Sequence, residues 1–280
     1  MIPKMKITAL LLLAATHAAC AGIEMPGPPF WSCRSLRHDT NTAEHIHLDG
    51  LTFVQNAFGA TNSGFGEQTI HVHRGAPGSF RTTFRHTLGD PGDPTHGWTH
   101  GAPWCYEGWW WDVTSPGSRL PIRVADFDAE VDWTIATEAS GSWNAHLQLY
   151  TTRTENPRPG WDDVSCDIFI CIDRHDWNPE EWGEQPVGEF EIGGARWIAY
   201  RNPDKHNMCS FYLKEPTRNL RGLRLQPLFA WMQQHGWVDP QHHVVCLGAA
   251  FEMRAGDLEL ASLEFRHQIH PVTRTTSSGR

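Results

Sequence analysis

Two acidic residues stand in settings that could do chemistry. Asp167 lies in SCDIFICID (165–173), where Ile168, Ile170 and Ile172 share one face of an alternating segment and Asp167, Phe169 and Cys171 share the other. Glu252 follows the apolar run of VVCLGAAFEMRAG (244–256), and Cys246, Gly248 and Ala250 share its face. Small residues beside an acid predict room for something to lie over the sheet. Two acids facing each other across a cleft are the minimum apparatus for cleaving an acetal. One attacks or activates water while the other protonates the leaving oxygen. Taken singly, each also fits a strand-end carboxylate bonded to a turn, the commoner setting for an acid.

Positioning such a pair requires a sheet, and the chain is written as one. Short alternating segments recur at 51–55, 69–73, 80–85, 129–135, 145–151, 166–173, 189–192, 196–200, 209–213, 243–250 and 258–267, separated by turn residues. That pattern predicts a sandwich or a barrel. Helical spacing occurs once, at Leu225, Leu228, Phe229 and Met232, with Pro227 tolerable only in the first turn. The segment 89–116, with GDPGDP, WCYEG and Trp109-Trp110-Trp111, is the least regular. No internal repeat or long linker divides the chain, so one domain over 22–270 is expected, with a frayed polar tail over 271–280.

The first 21 residues read as a secretory signal peptide. Lys4 and Lys6 precede a short apolar run, and Ala19 and Ala21 supply an Ala-x-Ala site for cleavage after Ala21. A lipoprotein acylated at Cys20 is the competing reading, opposed by His17 where an aliphatic residue belongs. A secreted, extracellular chain with six remaining cysteines is expected to form disulfides, although six permit fifteen pairings. Cys33–Cys105 is the pairing favoured; Cys166 and Cys171 point to opposite faces and should not bond. A net charge of −9 argues against nucleic acid or an acidic membrane surface as partner. The fourteen tryptophans suit sugar rings, which stack on indole, although any one of them is more readily a core residue.

Other clusters invite weaker readings. His45/His47 and His71/His73 share strand faces and could bind a metal, but exposed strand histidines are the plainer expectation. Asp176, Glu180, Glu181 and Glu184 could hold Ca²⁺ or form a solvated acidic face, with the latter favoured. SGFG lacks the spacing of a serine-hydrolase elbow. At most two of Trp109, Trp110 and Trp111 could form a stacking platform together, and packing beneath a loop is an equal alternative.

The order of short motifs over about 51–269 resembles glycoside hydrolase family 12, the endoglucanase and xyloglucanase family. NAFGATNSGFG (56–66) is similar to its Asn-Leu-Trp-Gly and Ser-Gly-Phe-Gly stretches. NAHLQLYT (144–151) is similar to its aspartate-bearing strand, and SCDIFICI to its nucleophile strand. QPVG (185–188) and GGARWIAY (193–200) resemble its Pro-Ile-Gly and Gly-Gly-x-x-Trp-x-x-Tyr segments. PLFAWM sits where its helix lies, and AAFEMRAG (249–256) resembles its acid/base motif.

The resemblance implies an all-β, concanavalin-like jelly-roll sandwich of two antiparallel sheets, with one short helix and an open substrate cleft. It implies a retaining mechanism without cofactor or metal, Asp167 as nucleophile and Glu252 as acid/base. Asn56, Phe58, Gln148, Phe169, Pro186 and Arg254 are expected to line the cleft, with a β-1,4-glucan as partner and a monomer as the working form.

The departures gather at the site. Asp167 replaces a Glu and withdraws the carboxylate by about 1.5 Å. Retaining enzymes hold their carboxyls about 5–5.5 Å apart and inverting ones about 6.5–9.5 Å, so a shortened nucleophile is poorly placed for direct attack. Gln148 stands in place of an aspartate and, being neutral, should not raise the proton affinity of Asp167. Phe58, Phe169 and Cys171 replace a Trp, a Met and a Trp. Three readings are therefore carried: a working secreted β-glucanase, a catalytically impaired glucan-binding or decoy protein on the same fold, and a structural or toxin-like sandwich. The first is favoured because a general acid has little use in a pure binder.

Overall fold

The computed structural model describes residues 23–36, 44–56, 64–88, 99, 101–204 and 207–270. The leader, the 271–280 tail, Phe58 and the GDPGDP stretch lie outside them. Among the described residues there are fifteen strands and one α-helix. The strands are β1 (Pro29–Leu36), β2 (His45–Leu48), β3 (Leu51–Val54), β4 (Gly64–His73), β5 (Phe80–Leu88), β6 (Trp104–Trp110), β7 (Val113–Thr114) and β8 (Ile122–Arg123), followed by β9 (Ala129–Thr152), β10 (Val164–His175), β11 (Gln185–Ile192), β12 (Ala195–Arg201), β13 (Met208–Leu213), β14 (Asn219–Arg224) and, after helix α1 (Gln226–Gln234), β15 (His243–Ile269).

Two strands are far longer than the sequence alternation predicts. The patterns at 129–135 and 145–151 belong to the single strand β9, and those at 243–250 and 258–267 to β15. The two pair antiparallel from Ala129↔Ile269 to Thr152↔His243. Their hydrophobic alternation lapses at the midpoint, where Gly141 faces Gly256 with positive φ at both (140° and 119°). A Cβ on Gly141 would lie 2.2 Å from the Ala255 carbonyl oxygen, and one on Gly256 would lie 2.2 Å from that of Ser140. Only glycine permits so close a crossing of the two backbones.

On one side of this crossing, β15 and β9 carry β5, β4, β1 and β14. On the other they carry β10, β13, β12 and β11 along one flank and β6, β3 and β2 along the other. The result is the expected β-sandwich. Ile168, Ile170 and Ile172 enter its core with Leu147, Leu149, Leu247 and Phe251 from the front sheet and Val72, Phe80, Trp133 and Phe265 from the back. Each such buried side chain contributes about 1.5–3 kcal/mol. Helix α1 starts with Pro227 in its first turn and buries Leu228, Phe229 and Met232 in the same core, as its spacing predicts.

Three expectations are corrected. The irregular 89–116 segment contains a central strand, β6, whose Trp104, Cys105 and Tyr106 are fully buried; dense aromatics on both of its faces hid the alternation. The six described cysteines are buried, and none forms a disulfide with another described cysteine. Cys33 and Cys105 do not bridge, since Cys33 lies opposite Ile70 on β4 while Cys105 lies between Phe53 of β3 and Ala249 of β15. Cys166 and Cys171 do face opposite ways, one into the sandwich core and one out of it. The histidine pairs are not simply exposed. His73 is buried with Nδ1 against the Gly27 carbonyl, while Nδ1 of His71 meets Ser32 and that of His47 meets Thr52.

Candidate active site

The front sheet turns one face to the core and the other away from it. On β9 the outward residues are Asn144, His146, Gln148 and Tyr150; on β10, Asp167, Phe169 and Cys171; on β15, Gly248, Ala250 and Glu252. Asp167 and Glu252 thus stand on the two strands that flank β9, and on the same face. Asp167 lies opposite Tyr150, and Glu252 lies opposite Asn144. Backbone bulges between Cys171 and Asp173 on β10 and between Met253 and Ala255 on β15 bracket the Glu252 end. Such bulges re-aim side chains where a ladder must bend.

Between the two acids runs a transverse row. Tyr106, Gly248, Gln148, Phe169, Ser210, Tyr200 and Pro186 are successive cross-strand partners on β6, β15, β9, β10, β13, β12 and β11. Directly opposed residues share a face, so the row spans about 29 Å at about 4.8 Å per strand. Pro186 and Phe169, chosen from sequence, belong to it, and Pro186 is exposed.

Each acid is held by an amide of β9. Gln148 Nε2 donates to the Tyr150 hydroxyl at 2.7 Å and lies 3.3 Å from Asp167 Oδ1. Asn144 Nδ2 donates to Glu252 Oε2 at 2.9 Å, and Asn144 Oδ1 meets His146 Nδ1 at 2.6 Å. Asp167 is 6% exposed, so its carboxylate sits at the bottom of the face, whereas Glu252 is half-buried. Burial, then the charge of Asp167, pushes the Tyr150 phenol well above its ordinary range. Burial pushes the Cys171 thiol up to about 12 and His146 down to about 3. These three groups beside the acids are therefore neutral at ordinary pH.

The small residues of β15 do not leave open room. Trp104 and Tyr106 of β6 stack on each other (centroids 4.5 Å) and fill it. A Cβ on Gly248 would come within 2.8 Å of Tyr106 Cβ and 2.9 Å of Trp104 Cε3. Tyr150, the cross-strand partner of Asp167, is flanked by Trp111 and Trp161. Trp111 has φ 46°, a conformation uncommon for a bulky side chain, and its ring lies 4.8 Å from Trp161 and 6.3 Å from Tyr150. Trp161 is 51% exposed. Against the expectation that at most two of the three act together, Trp109 stacks on Trp111 at 6.4 Å and Trp110 meets both Trp111 at 5.3 Å and Trp104 at 5.5 Å, because Trp111 lies in the turn after β6, where strand alternation no longer holds.

Arg254 is tied to Glu181 at 2.9 Å and lies over the Trp182 ring. With Asp176, Glu181 and Gly256 it lines an open pocket of about 320 Å³. The acidic loop is not one solvated face, because Glu184 is buried and accepts from Ser210 Oγ at 2.7 Å. Asn56 follows β3 with its carbonyl accepting from Ala102 N at 2.8 Å, and no described contact joins it to either acid. Residues not singled out from sequence are Asn144, His146, Tyr150 and Trp161. The alternation in NAHLQLYT already put the first three on the face of Gln148.

No family model and no curated protein matches the sequence. Solved structures do match the fold. An endoglucanase from Rhodothermus marinus superposes with a TM-score of 0.70 at 20% identity, covering 86% of this chain and all of that one. A family 12 xyloglucanase from Bacillus licheniformis gives 0.70 at 17%, covering 85% and 100%. A metagenome-derived family 12 endoglucanase gives 0.72 at 17%, covering 88% and 99%. The fold is that of family 12 glycoside hydrolases, at 17–20% sequence identity to these three.

Proposed function

We propose that the protein is a secreted, endo-acting β-1,4-glucan hydrolase of the cellulase or xyloglucanase kind, working as a monomer. The observation that carries this reading is the pair of acids on one face, on the two strands flanking β9, each anchored by its own amide. A glucan laid along the transverse row crosses the strands between the level of Tyr150 and that of Asn144. Asp167 and Glu252 then stand on opposite sides of it. Glu252, the more accessible, protonates the glycosidic oxygen, and Asp167 attacks the anomeric carbon or activates a water there. Gln148 steadies the Asp167 oxygen without adding charge.

The test is incubation of the unmodified protein, Asp167→Asn and Glu252→Gln with soluble β-glucans. Release of reducing ends that falls at least a thousandfold in both variants is expected. Glucan binding with no release by the unmodified protein sinks the hydrolase reading in favour of the impaired binder or decoy. That alternative is supported by the burial of Asp167 and by Cys171, which offers no ring for a sugar to stack on. A β-anomeric first product marks retention; an α-anomeric one marks inversion by the shorter acid. Export with cleavage after Ala21 is read from the N-terminus of the secreted protein.

A further inference from the structure

The residue between the two anchoring amides has no part in the mechanism above. His146 is 1% exposed, lies opposite Cys171 and Ala250, and packs its ring on Phe169 with centroids 4.8 Å apart. Its Nδ1 is 2.6 Å from Asn144 Oδ1. Because Asn144 Nδ2 is already committed to Glu252, its Oδ1 can only accept, so His146 Nδ1 must carry the proton. Nε2 is then a bare lone pair. It is buried and makes no hydrogen bond of ordinary geometry among the described residues, although the Gln148 side chain lies near enough to the ring to favour its charged form. Holding a ring in this state has a cost, because an unsatisfied buried acceptor is unfavourable.

We infer that His146 is a positioning residue, held as the neutral Nδ1–H tautomer so that Asn144 keeps its N–H on Glu252. This inference rests on Glu252 being the acid/base. The logic lies in the amide. Asn144 can present either a donor or an acceptor to the carboxyl group, and nothing in its own covalent structure chooses between them. An Nδ1–H fixed on Oδ1 does choose. Burial, against a smaller opposing hydrogen bond with Gln148, pushes the ring's pKa down to about 3, so the neutral ring and the orientation it fixes persist at ordinary pH.

The other groups around Glu252 do not supply this control. Tyr150, Cys171 and Tyr212 feel its charge but have their own ionisations pushed up by burial. Asp173 and Arg174 lie at the same level on β10, the former engaged by Arg218 and the latter over the Tyr212 ring. Arg254 is paired with Glu181. Asp167 stands on the other side of the row and has its own amide.

The test combines side-chain NMR and kinetics on the full secreted protein, His146→Leu and His146→Asn, whose amide N–H replaces the Nδ1–H. Long-range imidazole ¹⁵N correlations should report the Nδ1–H tautomer between pH 5 and 8. Carboxyl ¹³C titration should place the Glu252 midpoint about one unit higher in His146→Leu, because the carboxylate loses a fixed donor. The alkaline limb of kcat/KM should move by the same amount, kcat should fall about tenfold with KM little changed, and His146→Asn should restore all three. An Nε2–H tautomer, a ring that titrates between pH 5 and 8, or an unmoved Glu252 midpoint in folded His146→Leu overturns the inference. If His146→Leu fails to fold, the tautomer and the His146→Asn titration decide. A moved midpoint in a protein that releases no reducing ends instead defeats the hydrolase reading and leaves the role of His146 standing.

Discussion

Gln148 reaches Asp167 from the neighbouring strand, its Nε2 shared between Asp167 Oδ1 at 3.3 Å and the Tyr150 hydroxyl at 2.7 Å. The shorter contact goes to the neutral partner. Asp167 is steadied by an amide that carries no charge and whose shorter bond lies elsewhere. Replacing that amide by a carboxylate should reverse the electrostatics. In Gln148→Glu, like-charge repulsion raises the proton affinity of the pair. The acid limb of the kcat/KM profile is therefore expected to rise by about 1–2 pH units relative to the unmodified protein. An acid limb that stays in place would dissociate Gln148 from the reacting carboxylate.

Trp161 caps the aromatic group over Tyr150 and is the most exposed of that cluster. Its indole offers a sugar a flat face at little structural cost. Trp161→Ala should weaken glucan binding by about 1–2 kcal/mol, seen as a 5–30-fold rise in Kd by calorimetry. Melting should change little, because exposed substitutions usually shift stability by less than about 0.5 kcal/mol.

Glu107 tests electrostatics away from the cleft. It is buried, with Oε2 2.5 Å from His267 Nε2 and 2.9 Å from the Arg119 guanidinium. Burial alone would raise its pKa, but the hydrogen bonds from His267 and Arg119 outweigh it and hold the carboxyl near 2, against an ordinary 4.5. A depressed folded value means that the stabilisation is complete above about pH 4.5 and is lost as pH falls toward 2. Tm should fall across that window in the unmodified protein. Glu107→Gln should flatten that fall and cost about 3 kcal/mol at pH 7, because it strands the Arg119 guanidinium and the largely buried His267 ring. Chemical denaturation against pH measures both.

The glycine crossing gives a fourth test. In Gly256→Ala the new methyl would meet the Ser140 carbonyl at a positive φ. Destabilisation of about 2–4 kcal/mol is expected, or failure to fold, whereas Gly160→Ala, where no atom lies within 4 Å, should cost only the strain of its φ of 98°. Equal losses in the two variants would remove the close approach as the cause.

Much of this architecture is legible in the chain because burial writes a period of two. The isoleucines of SCDIFICID fix which way Asp167 points, and the spacing of Leu225, Leu228, Phe229 and Met232 fixes the helix. Long-range partnership leaves no such trace. Nothing in the small face Cys246, Gly248 and Ala250 says that Trp104 and Tyr106 will fill it, so a packing device reads as an empty groove. The unity of β9 and of β15 is hidden for a related reason: the alternation lapses where each strand passes from one layer to the other. His146 looked like one polar residue among several, since its significance lies in a tautomer set by Asn144 and not in its spacing.

The continuity of β9 and β15 has a kinetic consequence. Leu147 and Leu149 back the cleft floor, yet the strand that carries them also carries Val131 and Trp133 of the other layer. A local opening of the front sheet would have to sever β9 from both β10 and β15 along the ladder that also ties the back sheet together. Amide protons beneath the two acids should therefore exchange with solvent only through global unfolding, while those of the edge strand β11 exchange by fraying. The floor beneath the two acids is then the last part of the molecule to open, and any mobility a ligand there requires must come from the loops and rims above it.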